Sequence, residues 1–207
     1  MTRVCILDYG SGNVKSVFNL ISSLAEQVII SNDVAEIEAA THIILPGVGA
    51  FAASMRRINE KLPLDVLREQ VLVQKKPFLG ICVGMQVLMQ TGFEFGETPG
   101  LGWLPGKVVK LESGELPLPH IGWNNISIDK SKPLSPLLAG LDQEPDFYYV
   151  HSFVCVADDD SQVQARSDYG QHFCAVIEHE NVHGVQFHPE KSQRAGIRLA
   201  KNFLALS

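Results

Sequence analysis

Four short apolar runs, RVCILD, QVIIS, HIILP and PFLGI, punctuate the first eighty residues, and helix-patterned segments separate them. Each run reads as a buried strand. Between the first two, VKSVFNLISSLA sets Val14, Val17, Phe18, Ile21 and Leu24 on one helical face. DVAEIEAA is a shorter helical piece. AASMRRINEKL and PLDVLREQVLVQ follow the PGVGAF loop, the second opening on Pro63, where a helix accepts proline. Strand and helix alternating at this spacing predict an α/β fold. Its parallel sheet would be covered on both faces, with ligands at the carboxyl ends of the strands.

From about residue 105 the texture changes to short β-rich pieces, KVVKLE, IGWNNISI, FYYVHSF, VQARSDY, FCAVIEH and VHGVQFH, which predict added antiparallel strands. SQRAGIRLAKNFLAL closes the chain as a packing helix, with Ile197, Leu199, Ala200, Phe203 and Leu204 turned to the sheet. No repeat or linker divides the 207 residues, so residues 1–207 are expected to form one domain. The net charge of −6 and the lack of a basic stripe argue against a nucleic-acid partner. MTRVCILDYG runs straight into a strand and nothing approaches a membrane span, so no membrane is expected and a cytoplasmic location is. The four cysteines, Cys5, Cys82, Cys155 and Cys174, lie too far apart for C-x-x-C spacing and are expected to be free thiols.

One of them stands out. GICVGMQ, residues 80–86, places Cys82 between Gly80 and Gly84, after the strand PFLGI and before the helically spaced VGMQVLMQ. G-x-C-x-G is the thiol form of the nucleophile elbow, in which a sharp strand-to-helix turn exposes the reactive side chain. A buried structural cysteine is the plain alternative. A thiol nucleophile needs a base, and GVQFHPEKS offers His188 with Glu190 two residues on, on the same face of an extended segment, to hold the ring. An oxyanion needs backbone donors: the Val83 N–H next to the thiol, and a peptide within Gly47 and Val48 of PGVG. By itself PGVG is equally a plain strand-to-helix turn.

Two other motifs carry less. His179 and His183 in HENVH match H-E-x-x-H, but zinc chemistry there needs a helix, and AVIEHENVHGVQF is β-rich. The pair is assigned to a hairpin turn, and no metal or cofactor is expected. GSGN, residues 10–13, lacks the third glycine of a dinucleotide loop and the Lys of a P-loop, which leaves weak phosphate binding or Asn13 as a helix N-cap.

Taken together, GICVGMQ and GVQFHPE resemble the class I (triad) glutamine amidotransferase family. ILDYGSGN, LPGVGAF, PHIGWN, YYVHSF and HPEKS, in this order, resemble its branch that serves imidazole glycerol phosphate synthase. The resemblance spans residues 6 to 192. It implies a flavodoxin-like three-layer fold and the triad Cys82, His188 and Glu190, which hydrolyses L-glutamine through a thioester. It further implies a glutamine pocket of Gln86, Glu94, Ser152 and Phe153, with Glu94 at the substrate's α-amino group. The implied partner is a (β/α)8-barrel synthase (cyclase) subunit, bound as a heterodimer in histidine biosynthesis. Asn13, Trp123, Asn124, Tyr148 and Lys191 fall at the positions of that interface. Ordinary solvent exposure for Gln86 and Glu94, and packing or solvation for the interface residues, are the plain alternatives. Val83 departs from the leucine more frequent in that branch, with little effect expected because only its backbone N–H matters. A stand-alone γ-glutamyl cysteine hydrolase and a non-catalytic module on the same fold are the rival functions.

Overall fold

The computed structural model describes residues 2–141 and 145–207. The alternation of the first half becomes strand β1 (Arg3–Ile6), helix α1 (Val14–Ser22), β2 (Gln27–Ile30), α2 (Val34–Ala39), β3 (His42–Gly47) and α3 (Phe51–Lys61). Next come α4 (Leu64–Arg68), which runs on into a π-helical turn at Glu69–Val73, then β4 (Phe78–Cys82) and α5 (Val83–Gln86). Two short strands, β5 (Thr91–Gly92) and β6 (Thr98–Pro99), precede β7 (Gly106–Lys110), β8 (His120–Asn125) and β9 (Ser127–Ile128). The chain finishes with β10 (Asp146–His151), β11 (Phe153–Ala157), β12 (Val163–Asp168), β13 (His172–His179), β14 (Val182–Val185) and α6 (Gln193–Leu204).

Eight strands form the central sheet in the order β2-β1-β3-β4-β14-β13-β12-β9. The first five pair in parallel, and β13, β12 and β9 extend the sheet antiparallel. β3 and β4 are buried on both faces, as strands covered by helices on either side must be. A second sheet joins β11, β7, β5 and β6, and β8 pairs with β10 as a separate ribbon. FYYVHSF therefore does not form one strand. It breaks at Ser152, which lets β10 and β11 enter different sheets beside the carboxyl end of β4.

Two helices differ from expectation. The helix after Cys82 ends at Gln86, although the apolar spacing continues to Met89. The carbonyls of Val87, Leu88, Met89 and Gln90 accept instead from the amides of Leu101, Trp103, Gly102 and Gly100. Those bonds use the acceptors that a longer helix would have needed. In α6 the buried stripe is Gly196, Leu199, Ala200 and Phe203, while Ile197 is 40% exposed. Gly196 takes the central position because a Cβ there would lie 1.9 Å from the Pro189 carbonyl oxygen, so the helix presses on the chain just after His188.

Among the described residues no helix is long and apolar enough to cross a membrane.

Candidate active site

β4 delivers Cys82 at its carboxyl end, directly beside Gly47 at the end of β3. Cys82 has φ 56° and ψ −110°, a conformation an L-residue holds only when its surroundings impose it. The surroundings here are glycines. A Cβ at Gly80 would lie 2.4 Å from the Gly84 carbonyl oxygen, and one at Gly84 would lie 1.9 Å from that of Leu45. The Val83 amide is the first of α5, with no earlier helical carbonyl to meet it.

His188 follows β14, the strand next to β4, so parallel pairing sets the base beside the thiol. Its Nδ1 lies 2.8 Å from Glu190 Oε1. The segment is not extended, as expected from sequence, but enters a 3-10 turn at Pro189–Lys191, and that turn curls the carboxylate under the ring. His188 N–H donates to the Tyr148 carbonyl, and Ser192 Oγ donates to the His188 carbonyl, so the residue is fixed at both ends. Burial pulls the imidazole pKa down, but bonds to the Cys82 thiol and to Glu190 outweigh it and push the value up to about 10. A histidine held on a carboxylate and sharing a cavity wall with a thiol is the arrangement that activates a cysteine nucleophile. Asn13 stands at the N-cap position of α1 but makes no side-chain cap. Its Nδ2 instead donates to Glu190 Oε1 at 3.2 Å.

Cys82 and His188 open on a cavity of about 270 Å³, whose wall also includes Gln86, Glu94, Ser152 and Phe153. Among the described residues, no group of three or more His, Cys, Asp or Glu side chains could hold a metal ion. HENVH is the β13–β14 hairpin turn, with His179 opposite Val182 and His183 opposite Glu178.

The family profile described as glutamine amidotransferase class-I matches residues 5–206. The chain belongs to the class I glutamine amidotransferases. It is 41% identical over 204 residues to "Imidazole glycerol phosphate synthase subunit HisH 1" of Campylobacter jejuni (strain RM1221), covering 98% of this chain and 100% of that one. It is 42% identical to the HisH subunit of Aquifex aeolicus (strain VF5), covering 97% and 95%. Among solved structures it is similar to PurLQS from Thermotoga maritima (TM-score 0.73, 19% identity, 98% and 97% covered). It is also similar to a putative GMP synthase protein from Thermoplasma acidophilum (0.72, 20%, 99% and 92%). These last two show the fold alone.

In this amidotransferase Gln86 is buried, not solvated. Its Nε2 donates to the Phe153 carbonyl at 2.9 Å and to Gln186 Oε1 at 3.1 Å. Gln186, which sequence reasoning passed over, is itself 0% exposed and points Nε2 at Cys82 Sγ, 3.7 Å away. A glutamine inside the otherwise apolar GVQFH run was the available signal. Glu94 Oε2 accepts the Phe51 N–H at 2.7 Å, which fixes the carboxylate at the start of α3. Trp123 is 48% exposed, meets Tyr148 edge to face across the β8–β10 ribbon, and Lys191 Nζ lies 5.4 Å from the Tyr148 ring centre. Asn124 turns inward and donates to the Asp168 carbonyl at 2.8 Å.

His151 lines the cavity, with its Nδ1 facing the Phe153 carbonyl and its Nε2 3.0 Å from Nδ1 of the buried His120. Burial holds His120 down to about 4, and burial together with His120 holds His151 down to about 3. Both regain their ordinary value near 6.5 when the chain unfolds. The unfolded state then binds more protons below that value, so their contribution is intact above about pH 6.5 and is lost as the pH falls toward 4. Each adds a slope of up to about 1.4 kcal/mol per pH unit. In urea titrations, the stability lost between pH 7.5 and 5.5 is expected to shrink by about 1 kcal/mol in His120→Gln. An unchanged difference would contradict this assignment; the opposite titration of His188 is common to both proteins and cancels.

Proposed function

We propose that this chain hydrolyses glutamine at Cys82 and passes the ammonia to a (β/α)8-barrel synthase subunit with which it forms a heterodimer in histidine biosynthesis. One observation carries the chemistry: a strained cysteine at a strand-to-helix turn shares the wall of a cavity of amino-acid size with a histidine that rests on a carboxylate. The Cys82 thiolate attacks the side-chain amide carbon of glutamine. His188 gives its proton to the departing nitrogen, which leaves as ammonia, and the thioester remains. His188 then takes a proton from water as it adds to the thioester, the C–S bond breaks, glutamate leaves and the Cys82 thiolate is restored. Glu190 holds the ring and offsets its charge. Gln86, Glu94, Ser152 and Phe153 surround the substrate, with Glu94 at its α-amino group. The names of the relatives support a subunit of imidazole glycerol phosphate synthase over a stand-alone γ-glutamyl hydrolase. The exposed Trp123 and Lys191, with the half-buried Tyr148 between them, provide a face for the partner, and we assign the assembly to the cytoplasm.

The oxyanion meets Val83 N–H on one side. On the other, Val48 N–H donates to Ser11 Oγ at 3.0 Å instead of facing the thiol. A missing oxyanion donor costs about 3–4 kcal/mol, a hundred- to thousandfold in rate. Glutamine hydrolysis is therefore expected to be nearly silent in the chain alone and to rise by about that factor when the barrel subunit binds its own nucleotide-like ligand. Equal rates for the chain alone, with the subunit, and with subunit plus ligand would refute the coupling. Cleavage of γ-glutamyl peptides without release of ammonia from glutamine would favour the stand-alone hydrolase.

A further inference from the structure

We propose that two hydroxyls set how far the oxyanion site is switched on: Ser11 holds the Gly47–Val48 peptide in its present orientation, and Tyr9 receives it when it turns. The proposal rests on the reading above of Val48 N–H as an oxyanion donor. β3 lies between β1 and β4. Ser11 stands on the loop after β1 and Cys82 at the end of β4, so an amide bonded to Ser11 faces away from the thiol. In a trans peptide the carbonyl points opposite to the N–H. The Gly47 carbonyl oxygen therefore faces the Cys82 side, where it repels an oxyanion instead of binding one.

Ser11 is well placed to hold this state. It is 9% exposed, accepts from Val48 through Oγ and donates the same hydroxyl to Asn13 Oδ1 at 2.9 Å. Tyr9 is a hydroxyl without a task. The residue is 1% exposed, and its Oη makes no hydrogen bond, the Ser54 and Ser11 hydroxyls standing near it but outside bonding geometry. A buried donor left unmet is costly. A Cβ on Gly47 would lie 2.6 Å from this oxygen, so it abuts the carbon about which the peptide turns. Turning the peptide carries the Gly47 carbonyl to the side its N–H now occupies, where the Tyr9 O–H can donate to it. The same rotation aims the Val48 N–H at the oxyanion. Each orientation thus has its own hydroxyl partner, and glycine at 47 lets the backbone take both. A ligand or partner that favours one partner set biases the switch.

The test compares wild type, Ser11→Ala and Tyr9→Phe, alone and in the complete complex with the ligand-bound barrel subunit. Ser11→Ala is expected to raise the rate of the chain alone about five- to tenfold, with the stimulated rate within about threefold of wild type. Tyr9→Phe is expected to lower the stimulated kcat about tenfold with KM for glutamine unchanged. Because Ser11 also touches Asn13, and through it Glu190, the pH profile of Cys82 alkylation by iodoacetamide reads the triad separately and should coincide in all three proteins. A merely structural role would lower both rates or raise KM, and either result overturns the proposal. If wild type is stimulated and both variants keep its ratio of stimulated to basal rate, the switch assignment falls and the glutaminase reading stands. If wild type hydrolyses no glutamine in any condition, that reading falls and takes the switch with it.

Discussion

Cys82→Ala is expected to lower glutamine hydrolysis by about a thousandfold or more while leaving the fold intact. The size of the effect follows from the covalent step. Without sulfur there is no thioester, and the remaining groups can only orient water against an unactivated amide. The fold should survive because the exchange removes one buried atom whose hydrogen bonds to protein, with the Val150 carbonyl at 3.8 Å and Gln186 Nε2 at 3.7 Å, are weak sulfur bonds. Strain at φ 56° persists with alanine, so no relief of the elbow is expected to distort it. The synthase reaction of the complex should still run when ammonia is supplied directly, which separates loss of chemistry from loss of assembly. Glutaminase activity within tenfold of wild type would remove Cys82 from the mechanism.

The proposed triad was legible in the sequence because each member sits where the local pattern is short-range: an elbow between two glycines, and a histidine and glutamate two residues apart. The parallel half of the sheet was equally legible, since its first four strands read as unbroken apolar runs, although of these only the central β3 and β4 are buried along their whole length and the edge strand β2 is half-buried. What escaped depends on contacts far apart in the chain. Nothing in VGMQVLMQ says that its carbonyls will be taken by residues 100–104, so the helix looked longer than it is. Nothing around Asn13 says that its amide will cross to Glu190, 177 positions away, in preference to capping α1. The Ser152 break, the buried Gln186 and the orientation of Val48 N–H are likewise outcomes of tertiary packing. In PGVG the glycines indicate that the peptide can turn; only its neighbour Ser11 decides which way it rests.

Gly84→Ala is expected to destabilise the chain by at least about 3 kcal/mol, beyond the usual range for added volume in a core, and to abolish activity in whatever fraction folds. A methyl at this position would sit 1.9 Å from the Leu45 carbonyl oxygen and 3.0 Å from its carbon. Both are backbone atoms of a strand paired on each side, to β1 and to β4, so neither can swing away as a side chain would. Relief requires α5 to rise off the sheet. That movement pulls on Cys82, the residue directly before the helix, and on Gly80, whose own hypothetical Cβ would already lie 2.4 Å from the Gly84 carbonyl oxygen. Loss of the elbow geometry therefore accompanies loss of stability. Gly96 supplies the control, because a Cβ there meets nothing within 4 Å although its φ of 118° is unfavourable for alanine. Gly84 is not among the positive-φ glycines, so its variant reports the clash, whereas Gly96→Ala reports backbone strain without a clash, and urea titration of both compares the two costs. A Gly84→Ala midpoint no lower than that of Gly96→Ala would show that helix and strand are not as tightly wedged beneath Cys82 as the geometry requires.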